Sequence, residues 1–292
     1  MTRSGIVAVV GKPNAGKSTL LNRIIGQKLS ITSEKPQSTR DRIVGIHTAN
    51  DLQMVILDTP GLLNPKYELQ RSMRAVALRA LAEADVIVYL ADVADGPPPT
   101  LATAAQLETA PRAPVILALN KIDTLTPAQR QYLGADHPDA ALISARTGDG
   151  VDDLLARVGI HLPVSPYLYP DDELSTQSVR FFAAELVRET ALEQLEDEVP
   201  YSVACEIEEF REGQAPIYIR AVLHVERDSQ KAILIGAKGA RIRTIGKAAR
   251  AKIEALLGAT IYLDLWVKVL PNWRRDRNAL RRLGYQPEDR AS

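Results

Sequence analysis

Gly11, Lys12, Pro13, Asn14, Ala15, Gly16, Lys17, Ser18 and Thr19 follow one another in the pattern G-x-x-x-x-G-K-S-T. These residue types at this spacing can hold a chain of phosphates. Glycines let the backbone wrap an anion, and the N–H groups from Asn14 to Ser18 would point at its oxygens, helped by a helix N-terminus. Lys17 would reach the outer two phosphates and the Ser18 hydroxyl would ligate Mg²⁺. Further on come Asp58, Thr59, Pro60, Gly61 and Leu62. Asp58 suits the shell of the same metal, and the Gly61 N–H can sense a terminal phosphate. Asn120, Lys121, Ile122 and Asp123 form a third group. A carboxylate at Asp123 can accept from both N1–H and N2–H₂ of guanine. Adenine offers no such donor pair and would leave the carboxylate unpaired, at a cost of about 1–3 kcal/mol. Ser144 and Ala145 can close over the base. Read singly, Asp58 and Asp123 are equally good helix caps or turn residues; it is the ordered set of four that points to a guanine nucleotide.

Each group must sit at the end of a strand for this to work, and the sequence supplies the strands. Ile6–Val10, Met54–Leu57, Val86–Leu90, Val115–Leu119 and Ala141–Ile143 are short, nearly continuous Val/Ile/Leu runs, as expected of strands buried on both faces. Helical spacing is found over Ser18–Ile25, Ser72–Ala82, Ala102–Leu107 and Val151–Val158. Alternation of this kind predicts an α/β domain: a mostly parallel sheet with helices on both faces. Ligands bind such sheets at the carboxyl ends of the strands.

The chain has 292 residues, enough for two domains, and is 46% hydrophobic. Its formal net charge is zero. The single cysteine, Cys205, rules out an intrachain disulfide, fits a reducing compartment, and reads as a small core residue. No signal peptide opens the sequence, and no apolar run approaches the roughly 20 residues of a membrane helix. The expectation is a soluble, cytoplasmic protein, at most peripherally attached to a membrane. His47, His137, His161 and His224 lack metal or triad spacing and read as structural or exposed. Arg40 and Arg42 have the chemistry of arginine fingers, but read better as exposed.

Three prolines in Leu162–Pro170 interrupt the rhythm. The expected organisation is a nucleotide-binding domain over 1–165, a linker over 166–177, and a second domain over 178–292. In that second part Ser178–Leu195 is helical. Val203–Phe210 and Pro216–Val225 form a hairpin around Arg211-Glu-Gly-Gln214, Ala259–Val269 is a strand, and Arg274–Leu283 is a last helix. The neutral total hides a division. Asp171–Asp228 holds 5 Lys/Arg against 15 Asp/Glu, a net of −10, while Ser229–Ser292 holds 14 against 5, a net of +9. A cationic run can be a solvated helix face or a binding face. Here it surrounds Ile235, Gly236, Ala237, Lys238 and Gly239, with Arg241, Arg243 and Lys247 just beyond. Glycines there would let a polyanion backbone come close, and Lys238 with the following helix N-terminus would supply positive charge.

In these motifs the first part resembles the translation-factor-related GTPases. The resemblance implies that Gln37–Arg42 is the first switch and that Thr39 meets Mg²⁺ and the γ-phosphate. Asn14 is similar to the asparagine that coordinates K⁺ in related GTPases; its other reading is a turn stabiliser. Leu62 and Leu63 stand where many GTPases carry a water-orienting glutamine, so slow intrinsic hydrolysis is expected. The Gly236–Gly239 stretch, with a hairpin before it and an Ala-rich helix after it, resembles the GXXG loop of a type II KH domain, an α+β RNA-binding fold. The pairing of the two domains, together with Leu263–Val269, resembles the Era-type GTPases. That resemblance implies binding of GTP and GDP, attachment to small-subunit (16S) ribosomal RNA, a role in assembling the small ribosomal subunit, and peripheral membrane association. No obligate protein partner is evident in the sequence. A signalling GTPase whose basic domain binds membrane or protein is the alternative reading.

Overall fold

A computed structural model describes residues 1–33, 35–213 and 215–287. It divides into two units, Met1–Pro65 with Met73–Thr176, and Lys66–Ser72 with the chain from Gln177 onward.

The first unit carries six strands: β1 Arg3–Gly11, β2 Ile43–Ala49, β3 Leu52–Asp58, β4 Val86–Asp92, β5 Val115–Asn120 and β6 Ala141–Ile143. Helices α1 (Lys17–Ile25), α2 (Glu68–Glu83), α3 (Leu101–Ala105), α4 (Pro127–Asp136) and α5 (Val151–His161) connect or follow them. The sheet order is β2-β3-β1-β4-β5-β6. All pairings are parallel except β2 with β3. The chain passes from β1 to β3 on one side, while β4 lies on the other. The carboxyl end of β1 is therefore the switch point where α/β sheets open a crevice. The five expected strands are present. They are buried because both faces are covered; Ala8, Val10, Leu57, Ile87 and Leu90 are all at most 3% exposed.

Two elements of this unit escaped the sequence reading. Strand β2 contains Gly45, where a Cβ would stand 2.6 Å from Leu21 Cδ1; the glycine admits α1 against the strand and disguises its pattern. Helix α4 has no buried residue to give an apolar stripe. It is specified instead by Pro127 at its start and a capping box between Thr126 and Gln129.

The segment read as a linker is fastened to the first unit over much of its length. Ser4 Oγ donates to the Pro166 carbonyl (2.6 Å), and the Leu168 and Tyr169 N–H groups donate to Gln53 Oε1 (2.8 and 3.0 Å). The Ile46 N–H donates to the Leu174 carbonyl at 2.9 Å. The prolines keep this segment out of regular structure without making it free.

The second unit contains α6 (Val179–Gln194), α7 (Val199–Ser202), β7 (Ala204–Arg211), β8 (Ile217–Val225), α8 (Asp228–Ile235), α9 (Ala240–Leu257), β9 (Ile261–Val269) and α10 (Arg277–Arg282). Gln214, in the expected hairpin turn, and residues 288–292 lie outside the described residues. Strand β8 pairs antiparallel with β7 and parallel with β9. The core joins Val187 and Ala191 of α6 to Ile219, Ala221 and Leu223 of β8 and to Ile245, Ala249 and Ile253 of α9. The α9 residues recur at four-residue spacing, so one stripe is buried. Burying each isoleucine of that stripe stabilises the fold by about 1.5–3 kcal/mol. Cys205 packs against this core as expected, and burial pushes its thiol upward. Helix order, strand pairing and the turn between α8 and α9 give the αββααβ arrangement of a type II KH domain.

Candidate nucleotide site and nucleic-acid groove

Between β1 and α1 the chain turns through Gly11–Gly16 at the switch point. Asn14 (φ 63°) and Gly16 (φ 99°) are left-handed. Gly16 is required for a second reason. A Cβ there would stand 2.2 Å from Asn120 Nδ2, where Asn120 donates to the Ala15 carbonyl at 2.7 Å. The same side chain accepts from the Ala145 N–H at 2.9 Å. Asn120 thus ties the loop after β1 to the loop after β6, a positioning role that its place in the sequence did not reveal.

Lys17 is buried. Its ammonium donates to the carbonyls of Gly11 (3.2 Å) and Lys12 (2.9 Å). An ammonium has three donors, so one remains for a phosphate oxygen. Burial lowers Lys17 to about 8, against the opposing pull of Asp58. Asp58 is fully buried. Desolvation raises its carboxyl, while Lys17 and the Ser18 hydroxyl pull it down. Ser18 Oγ donates to Asp58 Oδ2 at 2.7 Å and lies 2.9 Å from Thr39 Oγ1. Asp58 Oδ1 is buried with no hydrogen-bond partner among the described residues. A buried carboxylate oxygen left unpaired is costly. Two hydroxyls and that oxygen form an all-oxygen donor set suited to a hard divalent cation such as Mg²⁺.

At the other end, Ser144 Oγ donates to Asp123 Oδ1 (2.6 Å) and Arg146 donates to Asp123 Oδ2. The Ser144 bond is the main reason the Asp123 carboxyl is held below the usual range. Asp123 is therefore ionised at neutral pH and can accept from two guanine donors. Lys121, itself left-handed, pairs with Asp92 at 2.6 Å.

A cavity of about 590 Å³ joins the two ends. Pro13, Asn14, Gly16, Lys17, Ser18, Thr19, Thr39, Gly61, Asn120, Lys121, Asp123 and Ala145 line it. The remaining expected residues lie behind the wall. Gly11, Lys12 and Ala15 form the turn. Thr59 Oγ1 donates to the Val9 carbonyl inside the sheet (2.9 Å). Pro60, Leu62, Ile122 and Ser144 are buried, and the Leu62 N–H donates to the Gly11 carbonyl at 2.9 Å. Gly61 lies against the loop so closely that a Cβ would stand 2.5 Å from Pro13 N. Ile31, Thr32, Ser33, Thr124 and Arg146 also line the cavity and were missed. Of these, only Arg146 carried a signal, as a cation directly after Ser144-Ala145. The expectation of an exposed Arg40 is corrected: it is 4% exposed. Arg42 is partly exposed and pairs with Glu83.

The second candidate site lies where α8 gives way to α9. Gly236 (φ 71°), Lys238 (φ 49°) and Gly239 (φ 76°) are all left-handed. A Cβ on Gly236 would stand 2.8 Å from Arg241 Cβ, so the tight turn needs glycine. An open groove of about 540 Å³ beside it is lined by Gln194, Ile233, Gly236, Ala237, Ala240, Arg241 and Thr244. Lys238 projects from the loop into solvent. Arg243 and Lys247, expected at the same site, share a neighbouring exposed stripe of α9 with Arg250 and do not line the groove. Ile235 packs against the core. Among the described residues no helix is long and apolar enough to cross a membrane. No cluster of His, Cys, Asp and Glu there could hold a metal.

A P-loop nucleotide cavity with a guanine-type base site, followed by a type II KH fold, defines a class: the GTPases that carry a KH domain. Residues 6–121 match the family model of the 50S ribosome-binding GTPases, and residues 198–274 match that of the KH domain. The chain is 43% identical to GTPase Era of Geobacter metallireducens, over 97% of this chain and 98% of the relative. It is also 43% identical to GTPase Era of Pseudomonas putida, over 97% and 96%. It is similar to the crystal structure of Era in complex with MgGDPNP and nucleotides 1506–1542 of 16S ribosomal RNA, with TM-score 0.91, 40% identity, and 98% and 99% of the two chains covered. A structure of Aquifex aeolicus Era bound to GDP·AlF₄⁻ gives the same TM-score and identity, over 97% and 99%. The chain belongs to the GTPase Era family.

Proposed function

We propose that this GTPase holds small-subunit ribosomal RNA in its KH groove under control of the nucleotide in its first unit, and so assists assembly of the small ribosomal subunit. The observation that carries the proposal is the pairing, in one chain, of a mononucleotide-sized cavity with an open groove against a GXXG turn. The solved Era relative with MgGDPNP and 16S RNA together supports it. The RNA reading rests on the second unit, which the 50S ribosome-binding model does not span.

In the proposed mechanism Asn14 to Thr19 wrap the phosphates with backbone N–H groups and the start of α1. Lys17 contributes its third donor to the β- and γ-phosphates. Ser18, Thr39 and Asp58 would hold Mg²⁺, which would supply charge neutralisation to the nucleotide phosphates. Asp123 accepts from guanine. Ser144 and Arg146 keep it ionised and aimed, and Ala145 closes over the base. Gly61 reports the γ-phosphate through its N–H. Leu62 is buried and Leu63 is apolar, so neither polarises the attacking water and unaided hydrolysis is slow. Asn14 lines the cavity beside Gly16 and Lys17, and a K⁺ held there would neutralise developing charge. Turnover equal in NaCl and KCl would remove that role. Peripheral membrane attachment would use the basic faces of α9 and α10 on acidic headgroups, and vesicle co-sedimentation tests it.

Filter binding with a short single-stranded RNA tests the central claim. Gly236→Asp should lose RNA affinity with GTP affinity unchanged. No RNA binding by the parent chain even at low salt would overturn the proposal.

A further inference from the structure

The loop that follows α1 buries a hydroxyl that the nucleotide site described above does not use. Ser30 is 1% exposed, and its Oγ has no hydrogen-bond partner among the described residues. Its backbone, by contrast, is fully engaged. Asn22 Oδ1 accepts from the N–H groups of Leu29 (2.9 Å) and Ser30 (2.8 Å), and Asn22 Nδ2 donates to the Ser30 carbonyl (2.9 Å). One side chain thus fixes where Ser30 sits and leaves its hydroxyl uncommitted. Asn22 stands one turn after Ser18 on α1, so the two share a helix face. The next residues, Ile31, Thr32 and Ser33, line the cavity, whereas Ser30 lies behind them. Its hydroxyl is close to Asp58. Burial pushes that carboxyl up, and Ser30 is among the neighbours, after Lys17 and Ser18, that pull it down. Two buried polar atoms therefore stand unpaired in one place, Ser30 Oγ and Asp58 Oδ1. The first can donate and the second can accept. Each is costly to leave unpaired away from water, and such orphans point to a bond completed in another state of the site.

Resting on the Mg²⁺ reading above, we propose that Ser30 is a positioning residue for the metal site, its hydroxyl donating to Asp58 Oδ1 when nucleotide and Mg²⁺ are bound. The last torsion of an aspartate is soft, so one hydrogen bond does not fix the plane of its carboxylate. Ser18 already donates to Oδ2 at 2.7 Å. A second donor on Oδ1 sets that plane, and with it the direction in which the carboxylate meets the metal shell. Ser30 touches neither nucleotide nor metal in this role and acts through Asp58 alone. Helix α1 supplies both constraints, Ser18 directly and Asn22 through the loop it pins.

The test is isothermal titration of the full chain with GDPNP, once in Mg²⁺ and once in EDTA. In the parent protein Mg²⁺ should tighten binding. Ser30→Ala should lose about tenfold of that gain while its affinity in EDTA stays as in the parent. Its thermal midpoint in EDTA should not fall, because the change removes an unpaired buried hydroxyl. On an Asp58→Asn background, Ser30→Ala should take nothing further from the Mg²⁺ gain, since the two residues act as a unit. The inference is overturned if Ser30→Ala keeps the full Mg²⁺ gain, or if its loss is equally large beside Asp58→Asn. It is also overturned if affinity in EDTA falls as much as affinity in Mg²⁺, the mark of a purely structural role. Should Mg²⁺ leave the parent's affinity unchanged, the metal reading of Ser18, Thr39 and Asp58 fails, and Ser30 falls with it.

Discussion

Two glycine–lysine turns in this chain stand in opposite surroundings. Gly11–Ser18 closes over a cavity, and its lysine is buried and bonded to two carbonyls. Gly236–Gly239 stands open, with Lys238 in solvent beside a shallow groove. Both use left-handed residues, and both open a helix. The difference is enclosure. A buried lysine with directed donors suits a ligand that ends, such as a nucleoside triphosphate. An exposed lysine beside an open channel suits a polymer that enters and leaves. Desolvation makes each polar contact in the first loop count for more, while contacts at the second remain screened by water and salt.

Five measurements can break or sharpen this contrast. The largest effect is expected from Gly16→Ala. The new Cβ meets Asn120 Nδ2 at 2.2 Å on a left-handed backbone, so the loop and base site both shift. Nucleotide affinity should fall by a hundredfold or more, following roughly 3 kcal/mol of strain and lost hydrogen bonding. Isothermal titration with GDP measures it. Next, Asp123→Asn should move preference from guanine to xanthine nucleotides by about a hundredfold, because the carboxylate is replaced by a group that donates. A nucleotide panel checks this, and equal ATP and GTP affinity in the parent would contradict it.

At the second loop, Gly236→Asp places a side chain against Arg241 and a negative charge beside RNA phosphates. RNA affinity should fall about thirtyfold while GTP affinity holds, from the loss of roughly 2 kcal/mol.

The fourth measurement is pH dependence, which only the enclosed lysine should show. The folded free protein loses the Lys17 proton above about 8, while the unfolded chain keeps it to 10.5. A bound phosphate restores the proton, so binding takes one up. Affinity for GDP should therefore weaken as pH rises past about 8, by up to about tenfold per unit, and Lys17→Met should flatten that slope. By the same linkage the free protein gains stability between pH 8 and 10.5, where the unfolded state holds more protons. The smallest effect is expected from Lys238→Ala. RNA affinity should fall only a few-fold, and the slope of log affinity against log salt should flatten by about 0.7, one phosphate contact on a single strand.

The sequence and structure agree best where local chemistry is self-contained. The five core strands were legible because hydrophobic runs covered on both faces are nearly unbroken. Strand β2 was hidden by Gly45 and α4 by its lack of a buried face, so neither left a periodic signal. Arg40 was misread because burial of a cation depends on surroundings that no local pattern encodes. Arg243 and Lys247 were grouped with the GXXG turn because they are close in sequence. On a helix of 3.6 residues per turn they face away from the groove, while Arg241 and Thr244 line it.

By itself, then, the sequence determined the glycine-rich loop at 11–18, the carboxylate at Asp123 after a strand end, the glycine turn at 236–239 and the two-part organisation. Each is a short run whose residue types dictate its backbone and hydrogen-bonding chemistry. Tertiary structure alone decided what stands behind them. It set Asn120 as the tie between two loops, turned Thr59 into the sheet, aimed Ser144 and Arg146 at Asp123, and left Asp58 Oδ1 unpaired beside two hydroxyls. It also brought Gln194, more than forty residues before the GXXG turn, to the wall of its groove. Such contacts join distant segments. Packing of the whole sheet and its helices sets them, and no local spacing records it.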